Sequence, residues 1–145
     1  MRISRDELTA LIPHAGAMCL LDGVLEWNED AIVCAATSHR DPGNPLRRNG
    51  LLHAVCGIEY VSQAMAVHGA LANPGNARAQ QGYLASVRNF VLHAARLDAI
   101  ASDLQIEARL VLNLDQKFLY SFAITGDQKT VIAGRAAVVL DGAAP

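Results

Sequence analysis

The chain has 145 residues, of which 52% are hydrophobic, and its formal net charge is −2. This size and composition suit one domain with its own buried core, so we expect residues 1–145 to fold as a single ordered domain. The balanced charge without Lys- or Arg-rich runs excludes the usual nucleic-acid-binding classes, and no apolar run reaches the ~18 uncharged residues of a membrane span.

The N-terminal residues predict a short capped helix. Ser4 and Glu7 have the spacing of a capping box, in which each side chain bonds the backbone N–H of the other residue. The helix is expected to run to about Leu11 and to end before Pro13, because the residue before a proline avoids the helical conformation. Asp6 and Glu7 occur where a signal peptide would be apolar, so we expect a cytoplasmic protein.

The next segments predict a β-hairpin followed by a long loop. Residues 19–27 are apolar, residues 31–37 are β-prone, and the polar residues 28–30 between them are typical of a turn. Residues 38–50 contain two prolines and two glycines and show no periodicity, which predicts a loop. A loop of this length inside a small domain is often functional.

Residues 51–72 predict one buried helix. Apolar side chains cover almost its whole circumference, and a helix of this kind is normally enclosed by the rest of the domain. The run Asn-Pro-Gly at 73–75 is expected to end the helix, and residues 76–81 are predicted to form a polar connector.

The rest of the chain predicts strands. The residues alternate in polarity over much of this part, as in half-buried strands, and the predicted strands cover 82–93, 104–114, 118–125 and 130–140. One long helix among strands in a chain of this length predicts an α+β fold, in which a curved antiparallel sheet wraps the helix. We expect the outer strands to leave pairing edges, with 104–114 and 130–140 as the candidates, and the protein to dimerise through them.

Three blocks of the sequence resemble one known family. These blocks read LIPHAGAMCLLDGVLEW at 11–27, GIEYVSQAMAVHGAL at 57–71 and GYLASVRNFVLH at 82–93. They are similar, in the same order, to the opening, the central helix and the following strand of the 3-hydroxyacyl-[acyl-carrier-protein] dehydratases. The central block most resembles the branch of this family found in aryl-polyene biosynthesis clusters.

The resemblance implies both a fold and a reaction. The fold is the hotdog fold, a central helix wrapped by an antiparallel sheet, in dimers with active sites at the subunit interface. The reaction removes water from a (3R)-3-hydroxyacyl thioester to give the trans-2-enoyl thioester, as in fatty-acid or polyene biosynthesis, and it needs no cofactor. The implied partners are an acyl thioester on an acyl carrier protein or coenzyme A, and either a second copy of the chain or another hotdog protein.

Glu59 is the candidate for the catalytic carboxylate. It is the only acidic residue between Gly50 and Ala72, and an acid in an apolar helix is unusual because a buried charge loses solvation. It also matches the carboxylate position of the family motif, which implies that it acts as the acid. Gln63 lies one helical turn further on and is expected to orient Glu59 or to pack at an interface. The resemblance also implies that a backbone N–H at the helix start, assigned to Gly57, holds the thioester carbonyl.

The catalytic base is less clearly marked. In the family it is a histidine in the loop before the central helix, and His39 matches the start of that motif but lies 20 positions before Glu59. A second alignment places Asn44 in the histidine position, where it could contact substrate but could not act as a base. His53 is the third candidate, from a partner subunit or as a polar residue at the helix start. The remaining histidines, which are His14, His68 and His93, are interpreted as structural.

Two alternatives to a dehydratase remain open. Asn44 in the histidine position favours a catalytically silent hotdog subunit, which would bind acyl thioesters or stabilise an active partner. A hotdog thioesterase would use Glu59 to activate water instead. The sequence contains no spacing typical of a metal site, a phosphate-binding loop or a serine nucleophile, and its three widely spaced cysteines favour free thiols over disulfides.

Overall fold

Two helices and seven strands form the part of the chain that the computed structural model describes, namely residues 2–12, 16–73 and 82–140. In chain order they are β1 (Ile3–Ser4), α1 (Arg5–Thr9), β2 (Gly23–Trp27), β3 (Ala31–Ala36), α2 (Gly57–Ala72), β4 (Gly82–Leu92), β5 (Leu104–Leu114), β6 (Lys117–Gly126) and β7 (Lys129–Leu140). No helix in these ranges is both long and apolar enough to cross a bilayer.

The seven strands form one antiparallel sheet in the order β1-β2-β3-β5-β6-β7-β4. Helix α2 packs against β3, β5 and β6, so the sheet encloses the helix. Strand β5 shows the reason, since Leu104, Ile106 and Ala108 are fully buried while the residues between them are exposed. The predicted α+β architecture is therefore confirmed.

The start of α2 approaches the sheet closely. A Cβ atom at Gly57 would lie 2.2 Å from Ile132 Cδ1 and 3.0 Å from Ile124 Cδ1. Only glycine leaves room for these two isoleucines, which are themselves fully buried. Gly57 therefore sets the distance between the helix start and the strands β6 and β7.

The N-terminal half follows the sequence-based predictions closely. The capping box is present, because the Ser4 Oγ accepts from the Glu7 N–H and the Ser4 N–H donates to Glu7 Oε1, each at 3.3 Å. Helix α1 is shorter than expected and ends at Thr9. The predicted hairpin is formed by β2 and β3, and the Asn28 side chain accepts from two backbone N–H groups of its turn.

The predicted start of the central helix is wrong by six residues. Leu52 and Ala54 are instead bonded to residues 95–97, with the Leu97 N–H donating to Leu52 O at 2.8 Å and the Ala54 N–H to Ala95 O at 3.0 Å. The Asp98 carboxylate accepts from the Leu52 N–H at 2.9 Å. Because these backbone groups are hydrogen-bonded to residues 95–98, they are not available for helical hydrogen bonds. The helix instead begins after a 3₁₀ turn at 54–56.

The predicted pairing edges of the sheet are also wrong. Strand β5 is hydrogen-bonded to β3 and β6, and β7 to β6 and β4, so both are interior strands. Among the described residues the sheet ends at β1 and β4. The predicted helix stop at 73–75, apart from its Asn73, and the connector at 76–81 lie outside the described residues, as does Pro13.

His68 is a structural histidine, as predicted. Its ring is buried on α2, where Nε2–H donates to Asn28 O at 3.0 Å and Nδ1 accepts from the Tyr120 hydroxyl at 2.7 Å. Burial lowers the pKa of His68, against the opposing effect of the backbone hydrogen bonds. The imidazole is therefore neutral in the folded protein and ties the central helix to the β2–β3 turn.

We expect acid to destabilise the fold through His68. Because its folded-state pKa lies below the ordinary value of about 6.5, the unfolded chain binds more protons there as the pH falls. The stabilising contribution is complete above pH ~6.5 and falls below it, by at most about 1.4 kcal/mol per pH unit. Urea unfolding at pH 7.5, 6.0 and 5.0 measures this slope. His68→Gln should make the slope shallower, and an unchanged slope in this variant would contradict the assignment.

Candidate active site

Glu59 and Gln63 lie together in the first turns of α2. Gln63 is fully buried, and its Nε2 donates to Glu59 Oε1 at 3.3 Å and to Met18 O at 2.7 Å. Its Oε1 accepts from the Leu20 N–H at 2.9 Å, which determines which end of the amide is the oxygen. Gln63 thus presents a fixed donor to the Glu59 carboxylate, which is itself only partly buried.

A chain of hydrogen bonds continues from Leu20 to the loop after β3. The Ser38 hydroxyl donates to Leu20 O at 2.8 Å and lies 2.7 Å from the Tyr60 hydroxyl. Since the single proton of Ser38 is directed to Leu20, the Tyr60 hydroxyl must donate to Ser38. The Tyr60 oxygen in turn accepts from Asn44 Nδ2 at 3.1 Å. The network therefore runs in one direction, from Asn44 through Tyr60 to Ser38 and Leu20.

Asn44 is held firmly at the end of this network. Its second amide hydrogen bonds Ser38 O at 2.9 Å, and its Oδ1 accepts from the Leu46 N–H at 2.8 Å. The side chain is 5% exposed, and both of its donors are used within the protein. The geometry gives Asn44 a structural function in fastening the 38–46 loop to α2, and leaves one oxygen lone pair for any ligand.

Sequence reasoning did not identify Tyr60 and Ser38, which connect the candidate residues. Tyr60 is fully buried, and burial raises the pKa of its phenol although the bonds from Ser38 and Asn44 oppose the shift. The phenol therefore stays neutral and can act as a donor. One signal was present, since a tyrosine in an enclosed helix needs a partner for its hydroxyl.

His39 lies outside this network. The ring is fully buried, and its Nε2 lies 3.1 Å from Ile100 O and 2.9 Å from Ser102 O. Both partners are carbonyls, so Nε2 carries the proton, and burial lowers the pKa of the ring. His39 joins the 38–40 turn to the loop before β5, and this position does not support its predicted function as a base.

The predictions for His53 and Gly57 are changed by the late start of α2. His53 is exposed and precedes the 3₁₀ turn, so it does not share a helix with Glu59. The Gly57 N–H donates to Ala54 O and Val55 O. It is consequently not the free donor that was expected at the helix start, because the turn has already used it.

A surface cleft opens beside the Asn44 end of the network. Its volume is about 330 Å³, and the described residues that line it include Arg5, Asp22, Ser38 and Asn44, but not Glu59. The Arg5 guanidinium donates to Gly16 O and Cys19 O and so closes one wall. The structure therefore brings Asn44, Gln63 and Glu59 into one hydrogen-bonded network without opening all three to one cleft.

None of the described histidines belongs to the hydrogen-bond network that contains Glu59, Gln63 and Asn44. His39 and His68 are buried in their own hydrogen bonds, while His53 and His93 are exposed, and none of the four is hydrogen-bonded to Glu59. His14 lies outside the described residues. Within the described chain, the network thus offers a carboxylate held by an amide, together with Asn44, which cannot act as a base.

Comparison with known proteins places this geometry in context. A family model described as ApeP-like, ApeP dehydratase, matches residues 6–142. No curated protein matches the chain significantly. Among solved structures, the dehydratase heterocomplex ApeI:P from Xenorhabdus doucetiae has a TM-score of 0.79 at 21% identity, covering 94% of this chain and 91% of that chain.

Thioesterases share the same architecture. A thioesterase from Haemophilus influenzae has a TM-score of 0.68 at 12% identity, covering 93% of this chain and 88% of that chain. Zebrafish thioesterase superfamily member 2 has a TM-score of 0.63 at 17% identity, with 92% of each chain covered. Similarity at these identities shows the fold alone, and it confirms the predicted hotdog fold.

Proposed function

Because the chain belongs to the ApeP-like dehydratase family, we propose that it is a dehydratase subunit that removes water from a (3R)-3-hydroxyacyl thioester, with Glu59 as its catalytic carboxylate. The observation that carries this proposal is the Gln63–Glu59 hydrogen bond at 3.3 Å. Gln63 is itself held by Met18 and Leu20, so it supports the carboxylate at a constant position.

The reaction needs two proton transfers. A base removes a proton from the carbon next to the thioester carbonyl, and an acid protonates the departing 3-hydroxyl, which leaves as water. In the proposed mechanism the protonated Glu59 is the acid, and Gln63 directs the carboxyl group toward the hydroxyl. The electrons of the broken C–H bond form the new double bond, so the elimination consumes no cofactor.

We propose that the base comes from a second hotdog chain. Asn44, which one alignment with the family motif places in the histidine position, cannot accept a proton at neutral pH. The similar ApeI:P structure is a heterocomplex, which supports a partner of the same fold. Strand β4 is one of the two ends of the sheet among the described residues, and it exposes Leu84, Val91 and Leu92, on which such a chain could pair.

The natural substrate in this proposal is an acyl chain on an acyl carrier protein, with the coenzyme A thioester as its analogue. A silent subunit remains the second candidate. Its support is the Asn44 side chain, whose two donors are both satisfied inside the protein. Such a subunit would stabilise an active partner and contribute no reacting group. A thioesterase has less support, because the thioesterase similarity extends to the fold alone.

Reconstitution tests the need for a partner. If the base belongs to the second chain, this chain alone should convert a 3-hydroxyacyl thioester slowly or not at all. Addition of the hotdog chain equivalent to the partner in an ApeI:P-type complex should restore formation of the enoyl product, followed by mass spectrometry. Full turnover by the isolated chain would contradict the shared site, and loss of that turnover in His14→Ala would assign the base to this chain.

A further inference from the structure

Two arginines lie side by side on the last two strands at the β4 end of the described sheet. Arg88 on β4 is directly opposite Arg135 on β7. The same row continues inward through Ser121 on β6 to Arg109 on β5. Side chains directly opposite one another on antiparallel strands have Cβ atoms about 4.5–5.5 Å apart, so the two edge arginines are close neighbours.

Both arginines point away from the central helix. The next cross-strand pair, Val87 with Ala136, packs against the core, and successive residues of a strand face opposite sides. Arg88 and Arg135 are exposed, and neither side chain forms a hydrogen bond or salt bridge with another described residue. Like charges directly opposite destabilise a sheet, so this pair does not help the single chain to fold.

Strand β4 is regular enough to pair with a further strand over a short stretch only. The register of β4 against β7 shifts between Leu84 and Ser86 and again between Arg88 and Val91. Such irregularities are one way in which a free edge avoids unspecific association. The regular part, Ser86–Arg88, is therefore where a second strand can align best, and Arg88 lies within it.

Pairing of β4 with β4 of a second copy would concentrate positive charge at the interface. A symmetric dimer uses the same patch of both copies, so β4 aligned with itself through the regular part brings Arg88 and Arg135 of each copy to one seam. Four guanidinium groups would then face the same side of the joined sheet. A different chain that carries carboxylates at that seam would be attracted to the same two arginines.

We propose that Arg88 and Arg135 select the partner of this chain, by opposing self-pairing of β4 and by favouring the edge strand of a different hotdog chain that bears a carboxylate opposite them. The hotdog identity of that partner rests on the proposed function. Selectivity results from two effects: the arginines repel each other when β4 pairs with a second copy of itself, and they attract the carboxylate of the different hotdog chain.

The salt dependence of binding distinguishes repulsion in the self-paired dimer from attraction in the mixed complex. Self-association of the wild-type chain, measured by sedimentation equilibrium, should be weak in 50 mM NaCl and tighter in 500 mM NaCl, where repulsion between exposed charges is screened. Arg88→Ser should tighten self-association in low salt by about 2- to 5-fold and reduce the salt effect. Arg109→Ser removes the same charge from the same row three strands inward from Arg88, and as the matched control it should behave like the wild type.

The mixed complex should respond to salt in the opposite direction. Binding to the hotdog partner should weaken between 50 and 500 mM NaCl, and Arg88→Ser should weaken it in low salt by about 2- to 5-fold. A wild-type dimer that salt leaves unchanged or weakens would overturn the proposal, as would equal effects of Arg88→Ser and Arg109→Ser. These readouts are binding constants, so an inactive complex that shows the predicted salt pattern would refute the proposed function alone.

Discussion

Replacing Glu59 by glutamine should leave the fold intact and lower dehydration by the complex with its hotdog partner about 10²–10⁴-fold, the usual contribution of one general acid or base. Glutamine keeps the shape of the side chain, and its oxygen can still accept the hydrogen bond from Gln63. It cannot donate the proton that the leaving hydroxyl requires. The measurement is enoyl-thioester formation at saturating substrate, with circular dichroism to check the fold.

Glu26→Gln is the matched control for this variant. Glu26 is an exposed glutamate on β2, so the same chemical change there should leave turnover at the wild-type level. Equal turnover by the wild type and Glu59→Gln would show that the central assignment is wrong, whatever the fold. An inactive partner that gains solubility in the presence of this chain, with no product in either case, would favour the silent subunit.

Variants of the other candidate residues identify the base. His39→Ala and His53→Ala should each leave the chemical step within a few-fold of the wild type, because neither histidine contacts the network around Glu59. Asn44→Ala should act mainly on stability, since it removes hydrogen bonds that hold the 38–46 loop. A loss of about 10²-fold or more in either histidine variant, with the fold intact, would return the base to this chain.

Replacing Val61 by aspartate should unfold the domain. Val61 lies in α2 and is 1% exposed, so the new carboxylate would be buried without a partner. An unpaired buried charge costs several kcal/mol, against a typical total stability of about 5–15 kcal/mol. The expected result is insoluble or unfolded protein, detected by the yield of soluble protein and by circular dichroism.

Ala66→Asp provides the control on the same helix. Ala66 is exposed, so its aspartate variant should remain soluble and folded. Ile58 is a weaker test site than Val61, because its side chain is only partly buried at the helix start. A soluble, cooperatively unfolding Val61→Asp protein would show that α2 is not enclosed as the structure describes.

The sequence by itself determined the elements whose signals are local. The capping box at Ser4 and Glu7 depends on residues three apart, and it is present. The alternation of residues 104–114 depends on the pleat of one strand, and β5 has these bounds. The all-round apolar surface of the central helix similarly predicted its burial. The resemblance of three sequence blocks also predicted the family and the fold.

Only the tertiary structure decided the features that depend on distant segments. The helix starts at Gly57 and not at Leu51 because backbone groups of 52–54 are bonded to residues 95–98. Among the described residues the sheet ends at β1 and β4, because β5 and β7 each have two neighbours.

The same holds for the candidate site. Nothing near His39 in the sequence shows that its ring is closed against the carbonyls of Ile100 and Ser102. Asn44 and Glu59 are joined only because Tyr60 and Ser38 meet between them. Local patterns record the conformation of one segment, whereas hydrogen bonds between segments depend on how the whole sheet closes around the helix.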